Sequence, residues 1–437
     1  MTTDVDAVIA GGGVAGSAAA AALAQLGWSV LIAEPGQHDD RRLAGELIHP
    51  SGVDRLADLG LLAAPAFDAA ARLDGFAIFP AAGRSDCIEL PYGRPGAAPA
   101  LALDHASICA SLLGSASALP TVTVARGCRV TNIEAIAGHP IVRMRHGAVT
   151  EAISCRLVVA ADGASSPVRG YAGLGHRRVR NAVLTGYMVD QDALPLPGRG
   201  HIFTASGGPV LAYAIGNARA RVLFNGKLRR GDANRIAIEA QTMALTPRLR
   251  AAVHAAMADG LGQCFVSSDV TVSGVTRGDV VLVGDAAGTC HPISASGMTM
   301  GIDDATRLER ALRGRDGGVR ASLALYAAER RSRQRARVLL AAMLRDALGG
   351  AGPEMGLLRG ALQGYWSGSA RARAASMALL GMDDVSMRSI LIEFSRVVAS
   401  GVFASLGEPA SVLRRAELMV RLSRPMIGNV IGAMRVQ

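Results

Sequence analysis

Lysine is almost missing from this chain. Lys227 is the only one in 437 residues, so arginine supplies nearly all of the 46 basic side chains and the net charge of +10. A bias in codon usage accounts for that more simply than function does. Aromatic residues are also scarce, at 4%, and no basic stretch is interleaved with them. Without such stacking platforms, nucleic acid is not expected as a partner. The positive surplus instead suits an anionic substrate, an acidic polypeptide or an anionic membrane surface. The cysteines (Cys87, Cys109, Cys128, Cys155, Cys264 and Cys290) form no CxxC pair and no zinc-like spacing. No metal is expected, and with no export signal in view the expectation is free, buried thiols in a reducing cytoplasm. Residues 7–33 carry no charge, but Asp4 and Asp6 precede them and five glycines interrupt them. A signal peptide needs a basic start and a membrane span needs continuous apolar bulk, so neither reading fits.

What the chain has in excess is glycine, 52 of 437 residues or about 12%, against a usual ~7%. That suits a backbone pressed closely against a large ligand. Asp6–Ala10 reads as a buried strand, and Gly11-Gly12-Gly13-Val14-Ala15-Gly16 follows at once. Ser17–Leu26 then reads as an alanine-rich helix and Trp28–Ala33 as a second strand ending at Glu34. Gly11 permits a tight turn, Gly13 lets the backbone approach a pyrophosphate, and Gly16 lets helix and strand pack closely. The helix N-terminus offers free N–H groups to phosphates, and Glu34 is placed for the ribose hydroxyls. This segment alone does not separate FAD from NAD.

Two later segments do. Arg156–Ala161 is another buried strand, and it runs into Asp162-Gly163 with Ser166 and Arg169 behind. Asp279–Val283 is a strand ending in Gly284-Asp285, with Pro292 and the run Gly297-Met298-Thr299 beyond. Asp285 is placed for the ribityl hydroxyls of a flavin. The helix starting after Ser296 directs its N-terminal amides at the flavin's pyrimidine edge, where reduced flavin carries negative charge. The ordered set describes bound FAD.

The pattern DGxxSxxR resembles the flavoprotein hydroxylases, in which this loop lies near the pyrophosphate and is linked to NAD(P)H use. Arg42-Leu-Ala-Gly45-Glu46-Leu-Ile-His49-Pro50, together with Gly284-Asp285 through His291-Pro292 to Gly297-Met298-Thr299, resembles the squalene monooxygenase branch of the class A flavin monooxygenases. Leu90-Pro91-Tyr92 and Pro209–Tyr213 carry the likeness further. The resemblance implies that Arg42 lies against FAD, and that Tyr92 and Tyr213 lie beside the substrate cavity. His49 replaces the family's glutamine and is a candidate partner of Tyr92. Ile293-Ser294-Ala295-Ser296 replaces a threonine- and glycine-rich turn. His291, beside Cys290, is expected to pack rather than to ligate or to attach a flavin.

The expected architecture is α/β. A Rossmann-like FAD-binding domain of the GR2 type is assembled from residues 1–70, 95–178 and 276–335. A mixed β-sheet substrate domain comprises 71–94 and 179–275, and a helical C-terminal region covers 336–437. The strands Val183–Val189, His201–Thr204, Val210–Ile215 and Arg221–Phe224 form the sheet, followed by helical residues 233–260 broken at Pro247. The arginine-rich run Arg330–Arg337 is expected to be a solvated helix face, contact with anionic lipid or an acidic partner being the competing reading.

The activity this implies is monooxygenation. A flavin C4a-hydroperoxide passes one oxygen atom to a bulky apolar or aromatic substrate, as an epoxidation or a hydroxylation. NAD(P)H is the expected donor, directly or through a separate reductase, since no second GxGxxG unit is seen. Alternatives are reduction of isoprenoid double bonds, as in geranylgeranyl reductases, and hydroxylation of an aromatic residue on an acidic polypeptide. A halogenase is disfavoured because Trp28 and Trp366 stand alone. The expected setting is cytoplasmic, with peripheral membrane contact through the C-terminal helices as a further expectation.

Overall fold

The strand Val5–Ala10 lies inside an eight-stranded sheet, paired in parallel with Val30–Glu34 on one side and Val149–Ala160 on the other. Ala7, Val8 and Ile9 are wholly buried, which is why the strand carries no alternation of polar and apolar residues there. Val280–Leu282 and Val122–Arg126 extend the parallel order at its two sides. The helix Val14–Ala24 starts directly after Gly13, ahead of the expected Ser17, because Gly13 itself precedes its first turn. Its small residues Ala18–Ala22 let it sit closely between this sheet and the helix Gly297–Leu312. The computed structural model describes residues 3–36, 45–80, 83, 86–93, 98–134, 138–205, 207–226, 232–313, 318–404 and 412–434.

A second sheet has seven strands, in the order Gln263–Val272, His176–Asp190, Arg219–Gly226, Val210–Gly216, Gly200–Phe203, Gly75–Phe79 and Ile88–Pro91. All neighbours are antiparallel except Gly200–Phe203 with Gly75–Phe79, so the sheet is mixed. Successive side chains leave on opposite faces. Ala77 and Phe79 join Phe203, Phe224, Leu245 and Leu249 under the helices Asp232–Thr242 and Pro247–Ala258. Phe76 and Ile78 join Ile202, Tyr213, Leu344, Trp366 and Phe394 on the other side. The inner face of this sheet is therefore covered by the C-terminal helices. Segment 71–94 is divided: Ala71–Leu73 pairs with Ala100–Ala102, which pairs on its other side with Leu47–Ile48 in a small third sheet, and only the later strands enter the large one.

The C-terminal region holds the helices Gly318–Gly349, Pro353–Gly368, Ala370–Leu380, Met387–Ala404 and Val412–Met434. The first of these runs unbroken across 335–336, so the cofactor half and the helical region share a helix. Among the described residues no helix is long and apolar enough to cross a membrane. The cysteines are free, as expected, but Cys264 is exposed and Cys87 half-buried rather than buried.

The arginine run on that shared helix corrects one expectation. Arg331 is exposed, but Arg330 and Arg333 are buried, with 1% and 5% of their surface accessible. Asp303 and Asp304 on the preceding helix draw them inward. Arg330 Nε lies 2.8 Å from Asp304 Oδ1, and Arg333 pairs with Asp303. Arg55 and Arg307 also reach Asp303, at 2.8 and 3.0 Å. Removing one member of a buried pair leaves an uncompensated charge, at about 3–5 kcal/mol. Arg330→Met is expected to lower the thermal unfolding midpoint clearly, and Arg330→Met with Asp304→Asn to recover part of the loss. Circular dichroism melts check this, and an unchanged midpoint for the single variant would contradict it.

Candidate active site

Two of the early glycines are imposed by packing. A Cβ on Gly11 would stand 2.7 Å from the Ala161 carbonyl oxygen, and one on Gly16 would stand 1.9 Å from the Gly11 carbonyl oxygen. Gly13 differs: nothing lies within 4 Å of where its Cβ would stand, and no side chain caps the helix that begins at Val14. Open space in front of an uncapped helix N-terminus suits a pyrophosphate. Glu34 is buried at the end of its strand, its Oε2 accepting from Gly12 N at 2.6 Å and its Oε1 from Gly36 N at 3.1 Å. The carboxylate is thereby locked to the glycine turn, where an adenosine ribose fits.

The third segment packs onto the first through small residues. Gly284 has φ +57°, and a Cβ there would stand 2.7 Å from Ala15 Cβ; one on Gly301 would stand 3.0 Å from the same atom. The turn Gly284–Ala287 is buried except for Asp285, which is exposed. A carboxylate held out of a buried turn at a strand end suits ribityl hydroxyls. The second segment is tied in by Arg169, which is wholly buried. It donates to the Ala286 carbonyl at 2.9 Å and the Ala164 carbonyl at 3.0 Å. Ser166 Oγ accepts from Arg169 N, and Asp162 Oδ2 accepts from Val168 N, both at 3.0 Å. Burial pushes the Asp162 carboxyl above its ordinary range. Gly163, at φ +79°, turns the chain between them. The serine and arginine of DGxxSxxR thus hold two cofactor segments together.

Pro292 opens the short turn Pro292–Ser294, and Ala295 follows at φ +50°. A left-handed alanine costs about 1–2 kcal/mol, which glycine would avoid. Ser296 then precedes the helix Gly297–Leu312 with no side-chain cap, leaving the first-turn amides of Gly297 and Met298 unclaimed by side chains. These features together fit FAD: an open phosphate cradle, a fixed ribose acid, an outward ribityl acid and a free helix dipole. Arg42 lies outside the described residues. Asp285→Ala is expected to purify with under about a tenth of the parent flavin absorbance, since one charged anchor contributes about 1.5–3 kcal/mol. Full yellow occupancy in that variant would remove Asp285 from the site.

The structure brings His49 and Tyr92 together, with Nδ1 2.8 Å from the phenol oxygen. His49 Nε2 lies 2.9 Å from the Ser294 carbonyl, which only accepts, so Nε2 carries the proton and Nδ1 accepts from Tyr92. Tyr92 therefore connects through His49 to the turn that precedes the uncapped helix. Tyr213 lies in the buried apolar cluster that Tyr92 packs against, but its hydroxyl is spent on a different partner. It is buried, and its hydroxyl donates to Glu46 Oε2 at 3.2 Å. Glu46, which carried no assigned role in the sequence, also takes Arg221 Nη2 at 2.7 Å. A lone acid in an otherwise apolar stretch was the only sign of it. His291 is buried, its Nδ1 accepting from Ile293 N.

Burial holds His49, His201 and His291 each down at about 4. Unfolded, they titrate near ~6.5. As pH falls through that value the unfolded chain gains protons that the folded chain refuses, so stability drops between about 6.5 and 4 and levels off below. His49→Gln preserves a donor for Ser294 and an acceptor for Tyr92. It is expected to flatten the slope by one proton, about 1.4 kcal/mol per pH unit. Urea midpoints across that window check it, and an unchanged slope would show His49 to be hydrated.

This fold and site define an FAD-dependent oxidoreductase of the class A monooxygenase type. Residues 4–341 match the FAD binding domain profile, and the chain belongs to that family. It is 28% identical over 330 residues to "Squalene epoxidase erg1" of Schizosaccharomyces pombe, covering 71% of this chain and 69% of that protein. It is 30% identical over 327 residues to "6-methylpretetramide 4-monooxygenase" of Streptomyces rimosus, covering 69% and 73%. Across the squalene enzymes it resembles, the chain spans from 53% of the length, in Rattus norvegicus, to that 69%. The crystal structure of p-nitrophenol 4-monooxygenase PnpA from Pseudomonas putida DLL-E4 superposes with a TM-score of 0.65 at 19% identity. That match covers 91% of this chain and 99% of that one, and it supports the fold.

Proposed function

We propose that this chain is a monooxygenase that inserts one oxygen atom into a bulky apolar or aromatic substrate, by epoxidation or hydroxylation. The observation that carries this is the apolar cover over the inner face of the seven-stranded sheet. There Phe76, Ile78, Ile202 and Trp366 belong to one buried cluster, and Tyr92 packs against it. FAD, when bound, supplies the oxygen chemistry. The chain's own task is to hold the reacting carbon and to keep water away. The amides at Gly297 and Met298 favour negative charge on the cofactor ring. The Tyr92–His49–Ser294 hydrogen bonds fix the wall beside it without presenting a free acid or base. The two relatives named above, one for squalene epoxidation and one for a 4-monooxygenation, support oxygen transfer over reduction of a double bond.

NAD(P)H is the proposed electron source, directly or through a separate reductase. The test is oxygen uptake by the FAD-loaded protein with NAD(P)H, with and without a reductase, over a panel of olefins and phenols. Labelled dioxygen is expected to place one heavy atom in the product. Double-bond reduction without oxygen uptake would establish the reductase reading instead.

A further inference from the structure

The strand His176–Asp190 changes neighbours along its length. From Val183 onward it pairs with Arg219–Gly226, whereas His176–Arg180 pairs with residues 268–272 alone. It leaves the DGxxSxxR loop as one arm of a two-stranded ribbon, and the ribbon's two edges differ. On one, Val270 N donates to Thr289 Oγ1 at 2.9 Å, the Val270 carbonyl accepts from Thr289 N at 3.0 Å, and the Ser268 carbonyl accepts from Thr289 Oγ1 at 2.6 Å. That edge is closed by the segment that follows the turn Gly284–Ala287. In an antiparallel ladder, facing residues turn their backbone groups both inward or both outward. Val270 turns outward, so Arg178 opposite it does too, and His176 and Arg180 share its phase. The N–H and C=O groups of these three have no partner among the described residues.

The side chains around this open edge carry one sign. His176, Arg177, Arg178, Val179 and Arg180 are all exposed, so solvent reaches both faces of the strand. Arg178 donates to Ser165 Oγ at 3.2 Å, which ties the edge to the DGxxSxxR loop. Arg177 and Arg180 bond to no described residue, and Val179 lies between them, 43% exposed. The acid on the facing strand, Asp269, opposes Val179 and has a partner of its own. Charged residues on an edge commonly keep other strands away. A second copy of this chain is turned away here by that charge, because edge-to-edge pairing would set arginine against arginine. An acidic strand meets the opposite condition: its backbone completes the ladder and its carboxylates meet the guanidinium groups.

We infer that the edge at His176–Arg180 is a docking site for an extended, acidic segment of another protein, which joins the ribbon as a third strand. The edge asks for a polypeptide because its unpaired backbone groups recur at strand spacing. It asks for an acidic one because its side chains are cationic and unspent. A partner held there lies against the DGxxSxxR loop, across the ribbon from Thr289. The inference does not depend on which substrate is oxidised.

The experiment uses FAD-loaded full-length protein and a fluorescein-labelled peptide of about ten residues, alternating glutamate with valine, read by fluorescence anisotropy at low salt. Saturable binding is expected. N-methylating every peptide bond of the probe keeps its charge but removes its N–H donors, and is expected to weaken binding about tenfold. Arg177→Glu with Arg180→Glu is expected to weaken it by about tenfold too, at an unchanged ratio of flavin to protein absorbance. Arg177→Ser with Arg180→Ser takes its place should the charge reversal not fold. Absence of saturable binding, or a variant that binds as tightly as the parent, would overturn the inference and leave the arginines as guards of the edge. An N-methylated probe that binds undiminished would overturn it as well, showing attraction between charges without strand addition. Flavin reduction by NADPH that fails in the variant, with no peptide bound by the parent, would assign the arginines to a nucleotide instead.

Discussion

The cofactor side of this protein depends on one buried ion pair. Asp304 accepts from Gly284 N at 2.9 Å, while Arg330 bonds to Asp304 and reaches the Gly284 carbonyl at 3.4 Å. Gly284 is thus held from both of its backbone polar groups, in a left-handed conformation that its neighbour Ala15 would deny to any larger residue. That fixes the direction of the next residue, Asp285. Buried pairs add little net stability, because desolvation offsets the attraction. Here the return is geometric: the pair sets one orientation for the turn that carries the exposed Asp285 carboxylate. Because Arg330 sits on the helix Gly318–Gly349, the same pair couples the cofactor turn to the C-terminal region.

A second buried charge network positions the other half. Arg221, in the middle of the seven-stranded sheet, binds Glu46 with its guanidinium fork and Gln263 on the edge strand at 3.1 Å. Glu46 precedes the short strand that leads to His49, so the sheet is anchored beside the residues that border the flavin turn. Tyr213 spends its hydroxyl on the same carboxylate, and its ring packs in the apolar cluster. Sheet, cofactor turn and helical cover are therefore registered to one another by buried polar contacts.

How much of this was readable in the chain follows from the range of each interaction. The glycine turn, its strands and the helix after Ser296 were readable because their demands are local: a Cβ that cannot fit, an apolar run, a helix start. The pairing of His49 with Tyr92 was readable only through resemblance, since 43 residues separate them. The burial of Arg330 and Arg333 was not readable. An arginine run on a helix reads as solvated unless Asp303 and Asp304 are known to face it. Glu46 and Arg221, 175 residues apart, carried no local mark of pairing. The left-handed conformation of Ala295 likewise carries no local mark in the sequence.

The same contacts bear on what the net charge of +10 means. An anionic substrate would need unspent cations facing the reaction space. Among the buried arginines, Arg169 is spent on two carbonyls, Arg221 on Glu46 and Gln263, and Arg330 on Asp304 and Gln334, whereas Arg333, paired with Asp303, keeps its Nε and Nη1 without a hydrogen-bond partner. The histidine beside Tyr92 is neutral, with burial holding its proton affinity down near 4. The buried cluster against which Tyr92 packs is apolar, and there each buried methylene counts for about 0.8 kcal/mol. Such a cluster also disfavours water, which oxygen transfer requires to be kept out. Surplus charge on exposed arginines such as Arg331 acts on solubility and on encounter with partners.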